Sequence, residues 1–481
     1  MSETPWTVLL FTSDLLLKIF MIFVVLLQRK KTPSAKLAWI LLLVALPFVG
    51  SAIYLLVGTT RLGALRRKRH KEILKVIPSG YASHCPDEGH APTCVVHEYQ
   101  PIASIAEAVG ASAVIGGNIA DLFGDSEKMI DSLTKDIDES TSHCHVLSYI
   151  MLDDLAGEKV ANALSKAASR GIHCRLLLDA VGSKDFLRST TCKKLNESGV
   201  RITQALPANI LRATLVRLDL RNHRKIAVID NAIGYVGSQN IAEPSFALKP
   251  KFAPWIDASV RLVGPAVREL QAVFVQDWFM DSDENLSSLL QEPVETVEGG
   301  FPVQFMATGP NSNNQALPDL LQTAFHSARE ELIITTPYFA PDTSTESALR
   351  ITANRGVDTH LVLPARNDSL LVAAASRSRF ARLMDAGVHI HEFHGGLLHA
   401  KTMTIDKSLA LIGSANLDRR SLELNFEISM LAYDSDFASH LRFLQQSYID
   451  RSTLLADKTV TDWTIGRRLW QHAVGLIAPI L

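Results

Sequence analysis

The stretch His223-Arg-Lys-Ile-Ala-Val-Ile-Asp230 recurs as His399-Ala-Lys-Thr-Met-Thr-Ile-Asp406, 176 residues further along the chain. After six intervening residues that follow the aspartate, each copy continues into Gly-Ser-x-Asn, at Gly237–Asn240 and at Gly413–Asn416. The features that the two copies share are mostly polar residues or glycine, whereas a repeat that preserved only a core would share apolar residues. Two copies with the same tail are specific, although one such match alone is weak. We infer that the duplication preserves a chemical site.

Each copy of the motif has the sequence pattern of a β-hairpin. In the first copy, the β-rich runs Lys225–Asp230 and Ile233–Ser238 are separated by two residues, and the second copy has the same layout. Side chains alternate between the two faces of a strand, so each histidine shares a face with the lysine two residues later. The motif aspartates, Asp230 and Asp406, have the other parity and fall at the turn. We therefore predict that they hold the motif in shape and are not the chemical acids.

The repeat extends beyond the motifs. Arg170–Leu178 parallels Arg355–Leu363, and each stretch is followed by a Gly-Val pair, at Gly199 and at Gly387. This predicts an α/β protein of two homologous halves packed pseudo-symmetrically, preceded by an N-terminal helical hairpin. The predicted limits are 1–60 for a membrane hairpin of two hydrophobic helices, 61–125 for a basic juxtamembrane segment and linker, 126–295 for the first half, and 296–481 for the second half with a C-terminal amphipathic helix.

Two hydrophobic stretches open the chain. Leu37–Val57 has 21 residues without a charge, enough to cross a hydrocarbon core of about 30 Å as one helix kinked at Pro47. We predict that it is transmembrane. Thr7–Leu27 has a similar length but carries Asp14 and Lys18, four residues apart on one helical face. Three interpretations of this stretch stay open: it spans the membrane, it lies in the membrane interface, or it presents this pair to a second subunit.

The charge is distributed unevenly along the chain. The net charge is −2, but residues 1–75 carry +9 and the remainder carries −11. By the positive-inside rule, the two basic clusters that flank the second hydrophobic stretch compete, and the larger one, after that stretch, favours the cytoplasmic side for the region that follows. The basic segment would also attract anionic lipid.

The acidic remainder lacks the basic surface that nucleic-acid-binding proteins need. The five cysteines have no regular spacing, which favours a reducing compartment.

One short loop is rich in residue types that bind zinc. It contains His84, Cys85, His90, Cys94 and His97. Their spacing matches no common zinc finger. A solvated linker is therefore the favoured interpretation, with a zinc site as the alternative, and we expect no metal in the active site.

The motifs resemble those of the phospholipase D superfamily, and four further segments resemble its bacterial cardiolipin synthase branch. The segments are Leu220–Lys225, Thr335–Phe339, Gly395–Lys401 and Asn416–Leu422. The likeness runs from the hydrophobic N-terminus to the last helix. It implies phospholipase D-type α/β/α halves and a catalytic set drawn from both motifs: His223, Lys225, Asp230, His399, Lys401 and Asp406.

The resemblance implies a phosphohistidine intermediate, with His223 as the nucleophile and His399 as the general acid that later acts as base. Each histidine needs a carboxylate that fixes its tautomer. The likeness points to Asp257 for His223 and to Glu427 for His399, 34 and 28 residues after them. The residues expected to bind the phosphoryl oxygens are Ser238, Asn240, Ser414 and Asn416, together with the two motif lysines.

Attack on a phosphodiester requires a nucleophile, a proton for the leaving alkoxide and donors for the equatorial oxygens. The duplicated motif supplies all three, so no cofactor is expected. The expected reaction joins two phosphatidylglycerol molecules into cardiolipin and glycerol, which exchanges one phosphodiester for another and needs no nucleotide. The alternative is a membrane phospholipase D that releases phosphatidic acid; a nuclease and a non-catalytic scaffold are less favoured. Expected partners are phosphatidylglycerol, other anionic phospholipids and the membrane, but not nucleic acid, and homo-oligomerisation is left open.

Overall fold

The structure is a computed structural model. It describes residues 5–28, 33–58, 63–77, 95–207, 217, 219–246, 248–292, 294–311, 313–456, 458, 460 and 462–477. The helices are α1 Pro5–Leu26, α2 Pro33–Ala45, α3 Pro47–Val57, α4 Ala64–Val76, α5 Gln100–Ala108, α6 Ser126–Glu139, α7 Leu155–Ser169, α8 Thr190–Glu197, α9 Val267–Ser282, α10 Ala316–Ser327, α11 Thr343–Asn354, α12 Leu370–Asp385, α13 Arg419–Glu423, α14 Ser435–Ile449 and α15 Ile465–Ile477.

The strands alternate with these helices in both halves of the chain. They are β1 Ile115–Phe123, β2 His143–Ser148, β3 His173–Asp179, β4 Arg201–Ala205, β5 Ile226–Ile229, β6 Ile233–Gly237, β7 Trp255–Ile256, β8 Ser259–Val263, β9 Phe301–Thr308, β10 Glu331–Thr335, β11 Phe339–Ala340, β12 Asp358–Pro364, β13 Val388–Phe393, β14 Leu397–Leu398, β15 Thr402–Ile405, β16 Leu409–Gly413, β17 Leu417–Asp418, β18 Glu427–Ala432 and β19 Ser452–Leu454.

Fifteen strands form one sheet, in the order β19-β13-β12-β10-β15-β16-β18-β9-β1-β8-β6-β5-β2-β3-β4. The run β9-β18-β16-β15-β10-β12-β13 has the same topology as the run β1-β8-β6-β5-β2-β3-β4. The two runs meet where β1 and β9 pair antiparallel, with Ile115 opposite Val303. The duplication therefore covers every strand of this sheet except the edge strand β19, and the predicted pair of homologous α/β halves is confirmed.

One apolar core is continuous across the junction of the halves. It contains Phe274 and Trp278 of α9, Leu441 and Tyr448 of α14, and strand residues of both halves. The opposite face of the sheet has a separate core in each half, under α6 and α7 in the first and under α10 and α11 in the second. Each half thus has helices on both faces of its strands. The shared core fixes how the halves meet, and so positions any site at their interface.

The hydrophobic N-terminus forms three helices, which pack around Met21, Val25, Trp39, Leu43 and Tyr54. The predicted single helix over Leu37–Val57 is wrong, since α2 ends at Ala45 and α3 begins at Pro47. Proline has no backbone N–H to continue α2, and it suits the first turn of a new helix. In α1, Asp14 and Lys18 form an ion pair of 2.8 Å. None of the helices in the described part of the chain combines the length and apolarity needed to cross a membrane.

The segment 61–125, predicted to be a juxtamembrane segment and linker, contributes three elements to the folded body. Helix α4 inserts Ile73 and Ile77 into the shared core, α5 packs into the core of the second half, and β1 is a central strand of the sheet. The sequence pattern explains why two of these elements, α4 and β1, were not predicted. Helix α4 is so basic that it has the pattern of a solvated segment, and β1 contains a Gly-Gly pair, which weakens a strand pattern.

Candidate active site

The second motif enters the interface between the halves on the short strand β14. There Leu398 pairs in parallel with Ile256 of β7, which belongs to the first half. The following residues, His399 and Asp257, are therefore neighbours across the interface. Nδ1 of His399 donates a hydrogen bond of 2.6 Å to Oδ1 of Asp257, and both side chains are buried.

A single parallel β-bridge brings the first motif to the interface in the same way. Asn222 pairs with Phe426 of the second half, so His223 comes next to Glu427. Nδ1 of His223 lies 3.0 Å from Oε2 of Glu427 and 3.2 Å from the backbone oxygen of Ser414. The first motif is thus held directly against the second.

Each motif histidine is paired with a carboxylate of the opposite half. The predicted pairs, His223 with Asp257 and His399 with Glu427, lie within one half each, and both are wrong. Distance along the chain does not reveal which residue lies opposite across an interface. The two short parallel pairings between the halves decide this, because their register sets each histidine beside the other half's acid.

The motif serines contact these carboxylates. Oγ of Ser238 donates to Oδ1 of Asp257 at 2.6 Å, and Oγ of Ser414 donates to Oε2 of Glu427 at 2.5 Å. Each hydroxyl also accepts the backbone N–H of the residue after the carboxylate, at 3.0 Å. A serine hydroxyl has a single proton to donate. That proton is directed to the carboxylate, so this geometry links each serine to the acid beside a histidine, and the phosphate-binding role of both serines stays a prediction.

Lys225 and Lys401 are buried beside the histidines of their own motifs. Their Nζ atoms donate to the backbone oxygens of His223 and His399, at 2.6 Å in each case. Burial lowers the pKa of Lys225 to about 8 and that of Lys401 to about 7, although nearby carboxylates oppose the shift. The two ammonium groups are therefore short of a counter-ion, and a bound anion would supply one.

Burial also lowers the pKa of both histidines, to about 4 for His399. The neighbouring lysine charges act in the same direction, while Glu427 and Asp257 oppose them. Because Nδ1–H is committed to the carboxylate, the neutral ring carries its lone pair on Nε2. At neutral pH the free site therefore holds two neutral imidazoles with Nε2 available for chemistry.

Aromatic rings lie against both histidines. The ring centroid of Tyr149 is 4.8 Å from that of His223, and the centroid of Trp255 is 4.5 Å from that of His399. Phe246 stacks on Trp255 at 3.8 Å. Tyr149 and Phe246 lie outside the motifs, so the repeated pattern gives no signal for them. These rings keep water from the flanks of the imidazoles.

The motif asparagines are each tied by one hydrogen bond. Oδ1 of Asn240 accepts the backbone N–H of Ile150 at 3.2 Å, which leaves the amide NH₂ as its donor group. Nδ2 of Asn416 donates to Oγ of Ser421 at 3.3 Å. Among the described residues, Oδ1 of Asn416 has no hydrogen-bond partner although it is buried. Each amide thus keeps polar atoms beyond the one hydrogen bond that ties it to the described part of the chain.

Asp230 and Asp406 lie at the hairpin turns, where their φ angles are 53° and 50°. The hairpin loops have three residues, with the aspartate first, and not the two residues predicted. Asp230 accepts backbone N–H groups of residues 141–143 at 2.7 to 2.8 Å. Asp406 does the same for residues 329–331 at 2.8 to 3.0 Å. Each carboxylate holds the loop that leads into strand β2 or β10.

A buried ion pair beneath the first motif was missed by sequence reasoning. Nη1 of Arg224 donates to Oδ2 of Asp277 at 2.8 Å, and its Nε donates to the backbone oxygen of Glu427 at 3.1 Å. Nδ2 of Asn222 also donates to Asp277, at 2.8 Å. The only available signal was a difference between the copies, since the position of Arg224 is Ala400 in the second motif.

The zinc alternative cannot be examined on this chain's described residues, because His84, Cys85, His90 and Cys94 lie outside them. Within the described ranges, no group of three or more His, Cys, Asp or Glu side chains is arranged to hold a metal ion. The donors at the two motifs are the buried lysines and asparagine amides, which suit an anion.

The duplicated α/β fold, with a His-x-Lys motif from each half meeting at one interface, defines a phospholipase D-type protein. The family described as "Cardiolipin synthase, PLD-like domain" matches residues 133–278 and 321–446, and "Phospholipase D-nuclease N-terminal" matches residues 16–58. The chain belongs to the cardiolipin synthase family.

Relatives support this assignment over nearly the full length. Cardiolipin synthase A of Edwardsiella ictaluri is 36% identical over 466 residues, which cover 94% of this chain and 92% of the relative. Cardiolipin synthase A of Salmonella arizonae is 37% identical over 466 residues, which cover 95% of each chain. Among solved structures, phosphatidylserine synthase of Haemophilus influenzae Rd KW20 has a TM-score of 0.60 at 13% identity, covering 75% of this chain and 95% of that one. The last likeness concerns the fold alone.

Proposed function

We propose that this protein transfers a phosphatidyl group from one phosphatidylglycerol molecule to another, giving cardiolipin and glycerol through a phosphohistidine intermediate. The observation that carries the proposal is the pair of buried histidines, each of which donates Nδ1–H to a buried carboxylate. This leaves two Nε2 atoms for one phosphorus centre, one to attack and one to move protons. Names and near-complete coverage of the relatives support cardiolipin as the product.

In the first step, Nε2 of His223 attacks phosphorus, and the bond from phosphorus to the headgroup glycerol oxygen breaks. His399 gives the proton from Nε2 to that oxygen, so glycerol leaves as an alcohol. In the second step, His399 takes the proton of a hydroxyl on the second phosphatidylglycerol. The new P–O bond forms as the P–N bond breaks, which frees His223 and completes cardiolipin. One phosphodiester is consumed and one is made, so no activated donor is needed.

The general acid must be protonated before glycerol leaves, although burial and Lys401 hold the pKa of His399 at about 4 in the free site. The phosphodiester substrate is an anion, and it would lie against the lysines whose charge disfavours the imidazolium. Substrate binding therefore favours proton uptake by His399. Lys225, Lys401 and the asparagine amides then stabilise the charge on the equatorial oxygens.

Transfer in place of hydrolysis requires that a lipid hydroxyl reaches the phosphohistidine before water does. The two histidines and two lysines are buried, and aromatic rings flank the imidazoles. Association with a membrane would raise the effective concentration of the acceptor lipid. These features favour the synthase over the alternative, a phospholipase D that releases phosphatidic acid.

We also propose that the protein associates with the bacterial inner membrane, with its catalytic region on the cytoplasmic side, where the basic segments within residues 1–75 would lie. The three N-terminal helices form a small bundle with an apolar outer surface. Its exposed side chains include Leu16, Phe20, Leu41 and Phe48. Large exposed apolar surfaces of this kind mark contact with lipid or another protein. A hairpin that enters and leaves the bilayer on one face would keep both basic segments, around residues 29–36 and 61–75, on the same side.

The C-terminal helix α15 provides a second apolar surface. Val474 packs against α12, while Ile465, Leu469 and Leu476 are 75%, 66% and 78% exposed. These three residues are spaced four and seven apart, so they lie along one side of the helix. The neighbouring Arg468 supplies a positive charge for an anionic headgroup. This is the arrangement of a helix that rests on a lipid surface.

Product analysis with defined lipids tests the proposal. Purified full-length protein in phosphatidylglycerol micelles, with chelator and without nucleotide, is expected to release cardiolipin and glycerol in equal amounts. Phosphatidic acid as the sole lipid product would instead identify a hydrolase. His223→Ala and His399→Ala should each abolish turnover, and the trapped phosphatidyl group of a rapidly quenched reaction should lie on His223. Label on His399 would reverse the two roles.

A further inference from the structure

Helix α4, which follows the hydrophobic helices, is built into the catalytic body. Arg66 of α4 forms a buried ion pair with Asp281 of α9. One turn later, Nδ1 of His70 lies 2.9 Å from Nδ2 of Asn311, and Ile73 enters the shared core. The helix is therefore fixed by both polar and apolar contacts.

The guanidinium group of Arg66 lies over the ring of Phe426, with Cζ 5.2 Å from the ring centroid. Arg224 of the first motif lies 5.4 Å from the same centroid. Both distances are within the range of cation–π attraction. The ring also abuts Gly309, where an added Cβ would come within 2.7 Å of it. Phe426 is thus held on several sides, and one of these contacts comes from α4.

The main chain of Phe426 holds the first motif in register. His223 donates its backbone N–H to the oxygen of Phe426 at 2.9 Å, and Phe426 donates its N–H to the oxygen of Arg221 at 3.0 Å. The next residue is Glu427, whose Oε2 lies 3.0 Å from Nδ1 of His223. Any movement of Phe426 would therefore change the geometry of the histidine and its carboxylate together.

We propose that Arg66 is a positioning residue for the His223–Glu427 pair and that it acts through its contact with Phe426. The inference deepens the proposed function and rests on it, since it assumes that His223 is the nucleophile. It gives the segment after the hydrophobic helices a part in turnover. The competing explanation is that Arg66 only neutralises Asp281, because a buried carboxylate without its partner destabilises a fold.

Three full-length variants separate these explanations. Arg66→Lys keeps the charge opposite Asp281 but lacks the planar group that stacks on Phe426. The double variant Arg66→Met with Asp281→Asn removes both members of the ion pair and keeps an apolar contact. Glu72→Gln is the matched control, because Glu72 is an exposed residue of the same helix and is not one of its basic residues. Thermal unfolding of each variant verifies that it is folded.

We expect Arg66→Lys and the double variant to unfold as cooperatively as the wild type and to have kcat lowered by about 10- to 100-fold, with KM within about twofold. The pH dependence of kcat should change as well, because Glu427 would orient His223 less firmly while Lys225 and Lys401 still face it. Glu72→Gln should retain the wild-type kcat and pH profile.

Wild-type kcat and pH profile in both Arg66 variants would overturn the proposal. Recovery of kcat in the double variant alone would also overturn it, because Arg66 would then only balance Asp281. Turnover is measured as loss of phosphatidylglycerol, so the comparison applies to transfer and hydrolysis alike. Absence of cardiolipin with the wild type would overturn the proposed synthase activity and would leave the comparison of variants decisive for Arg66.

Discussion

Asp257 and His399 come from different halves of the chain, yet Oδ1 of one lies 2.6 Å from Nδ1 of the other. Glu427 and His223 show the same relationship in the reverse direction, at 3.0 Å. Each half supplies a histidine and also the carboxylate for the other half's histidine. Neither half therefore contains a complete pair, and the site exists only when the halves are packed together.

The crossed pairing predicts a specific energetic coupling. In double-mutant cycles of thermal unfolding, Asp257→Asn should couple with His399→Gln by about 0.5 to 3 kcal/mol, because the two side chains share a buried hydrogen bond. The matched cycle of Asp257→Asn with His223→Gln should give additive effects. Coupling of Asp257 to His223 in place of His399 would contradict the crossed arrangement.

Loss of either carboxylate should also slow turnover. Asp257→Asn and Glu427→Gln should each lower kcat by about 10²- to 10⁴-fold, since the amide cannot support the imidazolium form or the correct tautomer in the same way. The measurement is phosphatidylglycerol turnover per folded enzyme. A wild-type kcat in either variant would show that its carboxylate does not serve the chemistry.

The two lysines predict how turnover depends on pH. Burial brings the pKa of Lys401 to about 7 and that of Lys225 to about 8 in the free site, and only the protonated amines attract the anionic substrate. kcat/KM, which reports the free enzyme, should therefore decline as the pH rises from about 7 through both values. Lys401→Arg stays charged throughout this range. Even with a lower maximum, its alkaline decline should move towards the pKa of Lys225, and an unchanged decline would assign the titration to another group.

Asp230 and Asp406 should matter for stability and not for chemistry. Asp230→Asn and Asp406→Asn should each lower the free energy of unfolding by about 1 to 3 kcal/mol, because backbone N–H groups lose a charged acceptor. Asp138→Asn is a matched control, since Asp138 is an exposed carboxylate of α6, and its effect should stay within about 0.5 kcal/mol. A large loss of kcat in a fully folded Asp230 variant would instead make that residue part of the chemistry.

The motif serines should influence kcat and not substrate binding. Ser238→Ala and Ser414→Ala each remove a hydrogen bond from a carboxylate that orients a histidine, so kcat should fall by about 10- to 100-fold with KM unchanged. Ser169→Ala, at an exposed position of α7, serves as the control. A raised KM with unchanged kcat would support the predicted phosphate-binding role of these serines.

The duplicated motif was sufficient to predict two homologous α/β halves, because hairpin patterns and repeated spacings are local features of the chain. The same pattern indicated that the motif aspartates lie at turns. It could not reveal the role of Arg66, because the contact of Arg66 with Phe426 joins residues 360 positions apart. The uncharged run Leu37–Val57 led to one long helix being predicted, but α2 ends before Pro47, which has no backbone N–H to continue it, and α3 begins there.

The residue types available for chemistry, and the family to which the chain belongs, can be read from the order of amino acids. The partner of each histidine and the contacts of the motif serines depend on how the chain folds. Spacing along a strand sets which side chains share a face, whereas the register of short parallel pairings between two halves sets which side chains meet. That register depends on how the two halves share one core, and no local stretch of the chain encodes it.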